Sequence, residues 1–210
     1  RVFNQSYGAT PPVPMKHDYA SDPYLELTDL VQADISENSH WGRGAVYVKS
    51  AGNSFGTYNT YYSGYPILVL PYEDGIFFNN NSLPFHNANI ATGNTNFWNL
   101  VVSATSATGA LSSYSSVGAN VFISAPGGEY GQNAPAMVTT DLTGCESGGN
   151  VYGDHPNSLH GSSELDVNCD YRGTMNGTSS AAPNTSGAIA TIMSANHALD
   201  SREVRHVLAS

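Results

Sequence analysis

Within the first 53 residues, two strand-like segments flank a run of apolar residues at helical spacing, and that order dictates a parallel pair of strands. Val2-Phe3-Asn4-Gln5-Ser6-Tyr7-Gly8 reads as a buried strand ending in a small-residue turn. Gly44-Ala45-Val46-Tyr47-Val48 reads as a second strand, entering a turn at Ser50-Ala51-Gly52-Asn53. Between them Leu27, Leu30, Val31 and Ile35 recur at helical intervals, predicting an amphipathic helix from near Asp22 to Asn38. Strand, helix, strand is the βαβ pattern of a parallel sheet. Asn99 to Ala104 and Asn120 to Ala125 add two short strands across the turn-rich stretch Ser106 to Gly118. The expected fold class is therefore α/β, with a mostly parallel sheet.

The segment Asn176-Gly177-Thr178-Ser179-Ser180-Ala181-Ala182-Pro183 takes the chain from a polar loop into an apolar helix. It sets a serine hydroxyl in the first helical turn among small neighbours, which would let a substrate backbone approach closely. A helix N-terminus also offers free N–H groups to developing negative charge, an arrangement that serine chemistry needs. The same residues make an ordinary helix start, with Thr178 or Ser179 as cap and Pro183 in the first turn, and the capping pattern alone favours that plainer reading. Ala182, Ile189, Ile192 and Met193 form the inward stripe of this helix, and Gly187 is expected to allow close packing on the sheet. Asp200 with Glu203 predicts a capping box for a last helix, whose inward face carries Val204, Val207 and Leu208.

Gly177-Thr178-Ser179, with Ala181 and Pro183 following, resembles the nucleophile motif of the subtilisin-like serine peptidases. Its continuation, Ser186-Gly187-Ala188-Ile189-Ala190, then Ser194-Ala195-Asn196 and Arg202-Glu203-Val204-Arg205-His206-Val207-Leu208, is similar to the kexin-like branch. The resemblance implies a subtilisin-like three-layer fold and a serine endopeptidase that works through an acyl-enzyme at Ser179. It makes the Ser179 N–H one oxyanion donor and the side-chain amide of Asn53 the other. Taken alone, Ala51-Gly52-Asn53 would be only a strand-ending turn, since Gly and Asn both suit left-handed backbone. Ser6-Tyr7-Gly8 resembles the Ser-Trp-Gly wall of the primary specificity pocket, where a substrate pairs as an added strand, with Tyr7 in place of the tryptophan. Ser50-Ala51-Gly52 would be the facing wall. Ser112-Ser113-Tyr114-Ser115 and Ala125-Pro126-Gly127-Gly128 also look like that scaffold.

A serine nucleophile needs a base to take its proton and a carboxylate to orient that base. In this family both precede the Ser6-Tyr7-Gly8 segment, and this chain begins at Arg1. None of His17, His40, His86, His155, His160, His197 and His206 matches the family's histidine motif. The Asp and His are therefore expected outside the chain, and the fragment alone is expected to be inactive. Both ends read as cut: a strand opens directly after Arg1, and Val207 to Ser210 still follow a helical pattern where kexin-like peptidases continue into a β-rich accessory domain. Residues 1–210 are thus expected to be the later two-thirds or so of one catalytic domain, its N-terminal part missing. The alternative is a catalytically silent subtilase-like binding or scaffold domain; intact Ser179 and Asn53 favour the enzyme.

Seven Lys and Arg against 17 Asp and Glu give a net charge of −10, which argues against nucleic acid as a partner. No apolar run is long enough to span a membrane. Twenty-one glycines and 13 tyrosines suit a loop-rich extracellular surface, so a secreted or periplasmic protein is expected. Cys145 and Cys169 bracket a polar loop and should pair in an oxidising compartment, stabilising the fold by about 3 kcal/mol in the chain-entropy model. A metal site that adds His155 and His160 is the rival reading, although the spacing matches no zinc pattern. The chemistry implied by the resemblance requires no cofactor. Structural calcium is admitted, since subtilisin-like folds often use it and the chain is acidic, but its ligands are unknown.

The tract at about 57–97 departs from the family as an insertion. Its Pro66-Ile67-Leu68-Val69-Leu70-Pro71 run reads as a strand or hairpin over the substrate cleft, as a dock for a partner or chaperone, or as a plain surface hairpin. Kexin-like enzymes that cut after basic residues carry carboxylates where this chain has Ala9-Thr10-Pro11-Pro12 and Ser54-Phe55-Gly56-Thr57-Tyr58-Asn59, so a dibasic preference is not expected. The implied partners are a peptide or protein substrate and, by resemblance, a propeptide, accessory domain or chaperone.

Overall fold

Val46-Tyr47-Val48 suits the middle of a sheet because β-branched and aromatic side chains pack well on a pleated surface. In the computed structural model, residues 1–9, 18–55, 87–131, 134–148 and 164–210 are described, with four short strands between 61 and 77. Along the chain run β1 (Val2–Gln5), α1 (Pro23–Gly42) and β2 (Val46–Ser50). Within the tract expected to be an insertion, β3 (Tyr61–Tyr62) pairs antiparallel with β4 (Tyr65–Pro66), and β5 (Tyr72–Glu73) with β6 (Ile76–Phe77). The rest of 56–86 lies outside the described residues. A 3₁₀ turn (Ala88–Ile90) and α2 (Thr92–Thr95) lead to β7 (Asn99–Thr105) and β8 (Val121–Pro126). An antiparallel ribbon of β9 (Met137–Thr140) and β10 (Tyr171–Met175) precedes α3 (Thr178–Ala195) and α4 (Ser201–Ala209).

The main sheet runs in the order β1-β2-β7-β8, and every pair in it is parallel. β2 is buried at all five residues. Val46, Val48, Leu100, Val102 and Ala104 of the sheet form one core with Ala181, Ala182 and Ile189 of α3 and Val204 of α4. Ile192 and Met193 are half-buried, in line with the expected stripe. A smaller cluster joins Val101 to Ala51 and Ala88. The capping box of α4 forms as expected: Asp200 accepts from the Glu203 backbone, and the Glu203 side chain accepts from the Asp200 backbone.

Four local expectations are corrected. In the sheet that these 210 residues form, β1 is the outer strand and is not buried: Phe3 is 43% exposed and stacks on Tyr47, ring centroids 4.9 Å apart. Most of the apolar stripe of α1 is also left outside, with Leu27 57% and Leu30 61% exposed and Ile35 half-buried, while Gln32 and Ser36 are its buried residues. At Ser36 close backbone approach is the reason. Gly44, at φ 70°, lies so near α1 that a Cβ there would stand 1.8 Å from the Ser36 carbonyl oxygen, and the Ser201 hydroxyl donates to that same oxygen at 2.8 Å. A small side chain is therefore favoured at position 36, while the longer Gln32 is buried one turn earlier. Gly187, expected to face the sheet, is exposed, and nothing lies within 4 Å of a Cβ built there. On α4, Val204 is fully buried but Val207 is exposed.

Cys145 and Cys169 are joined as a disulfide, Cα atoms 4.9 Å apart. His155 and His160, the rival metal ligands, lie outside the described residues. Among the described residues no helix is long and apolar enough to cross a membrane.

Candidate active site

Parallel strands end at one common edge, and in open α/β sheets that carboxyl edge is where ligands bind. Here β1 runs into Ser6-Tyr7-Gly8, β2 into Ala51-Gly52-Asn53, and β8 into Gly127-Gly128. α3 begins at the same edge, with Ser179 its second residue.

A helix start leaves backbone N–H groups without partners. Neither Thr178 nor Ser179 is the cap: that place belongs to Gly177, which has no side chain to offer. The acceptor comes from β2 instead. Asn53 Oδ1 accepts from the Thr178 backbone N–H at 2.7 Å and from the Thr178 hydroxyl at 2.8 Å, and the same hydroxyl oxygen accepts from the Gly52 N–H at 3.1 Å. With Oδ1 held there, the amide nitrogen Nδ2 faces Gly177. Gly177 has φ 109°, and a Cβ added to it would lie 3.1 Å from Asn53 Nδ2 and 3.5 Å from the Ser179 backbone nitrogen. Two donors from distant parts of the chain thus border one small space.

Ser179 is half-buried. Its hydroxyl donates to the Ser6 carbonyl at 3.3 Å, and its own carbonyl accepts from the Ser6 hydroxyl at 3.0 Å. The second bond follows from Pro183. An α-helical N–H at 183 would bond the carbonyl at 179, but proline has no N–H to give. Pro183 was expected in the first turn and is the sixth helical residue, so its effect is to free the Ser179 carbonyl for Ser6.

The two segments expected to be pocket walls leave neighbouring strands side by side. Tyr7 is 68% exposed, and Lys49 reaches it from behind: the ammonium donates to the Tyr7 carbonyl and lies 4.3 Å from the Tyr7 ring centroid. Lys49 is itself only 4% exposed, and burial pushes its pKa down to about 8. On the facing segment, the Ser50 hydroxyl donates to the Gln5 carbonyl at 3.4 Å, and the Ala51 carbonyl accepts from the Asn94 amide at 3.1 Å. Sequence reasoning passed over Lys49, and it offered Thr178 only as a helix cap, not as a link to Asn53 and Gly52. A lysine inside a five-residue strand that is otherwise apolar or small was the one available signal for Lys49.

Of the described histidines, His40 and His197 line a cavity with Ala190, Met193 and Ser194. Ala190 is eleven residues beyond Ser179 on α3, which at 1.5 Å per residue is roughly 16 Å away along the axis. His206 sits on α4. His17, His86, His155 and His160 lie outside the described residues. Among the described residues no group of three or more His, Cys, Asp or Glu is arranged to hold a metal ion.

A parallel α/β sheet, with a serine in the first turn of a helix and an asparagine amide beside it, is the architecture of the subtilisin-like class. The chain belongs to the subtilase family, peptidase S8, which it matches over residues 1–210. The extracellular serine protease of Aeromonas sobria is 48% identical over 210 residues, 100% of this chain and 31% of that protein. The microbial serine proteinase of Aeromonas salmonicida is 50% identical over 184 residues, 86% of this chain and 28% of that protein. The crystal structure of the A. sobria serine protease in complex with its chaperone matches with a TM-score of 0.81 at 45% identity, covering 99% of this chain and 32% of that one. The chain therefore spans about a third of the length of these relatives.

Proposed function

We propose that this chain carries the nucleophile half of a secreted serine endopeptidase of the kexin-like branch. Ser179 Oγ attacks the scissile carbonyl carbon, and its proton passes to a histidine supplied, with its orienting aspartate, by chain outside these 210 residues. The carbonyl oxygen takes the electron pair and is held by the Asn53 amide and the Ser179 N–H, aided by the N-terminal end of the α3 dipole. Collapse of that intermediate breaks the C–N bond and gives the proton to the leaving amine. Water then hydrolyses the Ser179 ester by the same route. No cofactor is needed for these steps.

The observation that carries this reading is the placing of Asn53 Nδ2 and the Ser179 N–H on one space beside Gly177. Ser6-Tyr7-Gly8 and Ser50-Ala51-Gly52 then serve as pocket walls, and a peptide or protein is the substrate. Secretion is supported by the extracellular relative. A chaperone partner is supported by the complex known for the A. sobria protease. The deciding experiment treats the full-length parent with a fluorophosphonate probe. An adduct at Ser179 is expected; its absence in a folded parent would assign the chain to a silent binding or scaffold domain.

A further inference from the structure

Tyr114 lies in the stretch between β7 and β8 and is buried, 5% exposed. Its hydroxyl oxygen accepts the Gly177 N–H at 2.7 Å and donates toward the carbonyls of Gly128 and Gly127, at 2.7 and 2.9 Å. Burial pushes the phenol pKa up, so the hydroxyl keeps its proton. The peptide on the other side of Gly177 is held by Asn53 through the Thr178 N–H. Glycine is the freest backbone pivot, and this one stands two residues before Ser179. Both peptide planes that flank it are clamped.

The backbone around Tyr114 grips the Asn53 turn as well. The Phe55 N–H donates to the Tyr114 carbonyl at 3.0 Å, and the Ser116 N–H donates to the Gly52 carbonyl at 2.9 Å. The Ser54 N–H donates to the Ser116 hydroxyl at 3.3 Å. One three-residue segment therefore holds the turn that carries Asn53 and, through a single phenol, the glycine that precedes Thr178-Ser179.

We infer that Tyr114 is a positioning residue for the oxyanion site: its hydroxyl sets the separation between the Asn53 amide and the Ser179 N–H. The inference rests on the peptidase reading above. Oxyanion donors help only when aimed at the place where charge develops, and they act on the transition state rather than on the bound substrate. The hydrogen bonds of Tyr114 go to Gly127, Gly128, Gly177 and Phe55 rather than to Ser6-Tyr7-Gly8 or Ser50-Ala51-Gly52, so its contribution should fall on kcat and leave KM alone.

The test uses Tyr114→Phe in the full-length parent, which keeps the ring and removes the hydroxyl. An ångström of misplacement can cost about a hundredfold in rate, so kcat should fall by about ten- to a hundredfold with KM within about twofold. Affinity for a peptide boronate, which forms a tetrahedral adduct on the serine, should weaken by the same factor. The Gly177 amide should exchange with deuterium faster. A folded Tyr114→Phe protein with unchanged kcat and boronate affinity would overturn the inference, as would a loss confined to KM. Should Tyr114→Phe not fold, 3-fluorotyrosine at position 114 keeps the hydroxyl and weakens its oxygen as an acceptor; a lowered kcat supports the inference and an unchanged one overturns it. A wild-type parent without turnover or boronate binding brings down the peptidase reading, and this inference with it.

Discussion

Asn53 Oδ1 stands 2.7 Å from the backbone nitrogen of Thr178 and 2.8 Å from its hydroxyl, so a residue at the end of a strand caps a helix that begins 125 positions later. The two ends of the Asn53 amide have separate tasks. Its oxygen holds the helix start in place, and its nitrogen is left facing Gly177 and the Ser179 N–H.

Asn53→Asp separates those tasks. The carboxylate still accepts from Thr178, so thermal stability should change little, while the donor is lost. Removing the corresponding donor in a subtilisin lowers turnover by about 10²–10³, and that scale is expected here. Melting temperature and peptidase turnover of the full-length parent are the measurements. Asn53→Ala should add a loss of about 0.5–2 kcal/mol, because the cap goes too.

Ser6→Ala leaves the Ser179 carbonyl without a donor, because Pro183 has no N–H. An unsatisfied, partly buried acceptor costs about 1–3 kcal/mol. The double variant Ser6→Ala/Pro183→Ala should recover most of that loss, since an alanine N–H at 183 can close the helical bond. Urea unfolding of the two single variants and the double variant gives the coupling energy directly. Additive losses would show that the Ser6 hydroxyl and Pro183 act independently.

Gly177→Ala places a methyl group in the space shared by Asn53 Nδ2 and the Ser179 N–H, on a residue with φ 109°. Backbone strain of about 1–3 kcal/mol should appear in unfolding experiments. Turnover should fall by about a hundredfold or more, as the donors are pushed apart. Substrate-like peptides that avoid the oxyanion space should bind nearly as before.

Lys49 links stability to pH. Its folded pKa is lowered by burial from 10.5 to about 8. Below about pH 8 the folded and unfolded chains both carry the proton, and the cost of burying the charge is fully present. Between about 8 and 10.5 the unfolded chain binds a proton that the folded chain does not, so this residue's contribution to stability rises with pH. The stability of the parent relative to Lys49→Met should therefore improve from pH 7 to pH 10. A difference that stays flat across that interval would show that the ammonium is not desolvated.

The strands at Asn99 and Asn120, the βαβ unit and the Asp200–Glu203 capping box were legible because each rests on residues within a few positions of one another. α1 was legible as a helix but not in its orientation. Its bulky residues Leu27 and Leu30 suggested an inner face, whereas Gln32 and Ser36 lie there, the latter under the close approach of Gly44 to its carbonyl. Gly187 misled for the related reason that a glycine can mark either close packing or an open surface. The helix start at the serine motif was legible, but not its cap, because the capping group lies on another strand.

The order of residues by itself determined the kinds and succession of the main elements and a serine at a helix start beside small neighbours. Which groups meet was decided only by the tertiary structure. Parallel pairing of β1, β2 and β7 brings their ends to one edge, and burial of Ala181, Ala182 and Ile189 packs α3 on the sheet with its first turn at that edge. Propensity and capping act over a turn or two of chain. The meeting of Ser6, Asn53 and Ser179 depends on strand register and helix packing, which are properties of the whole sheet.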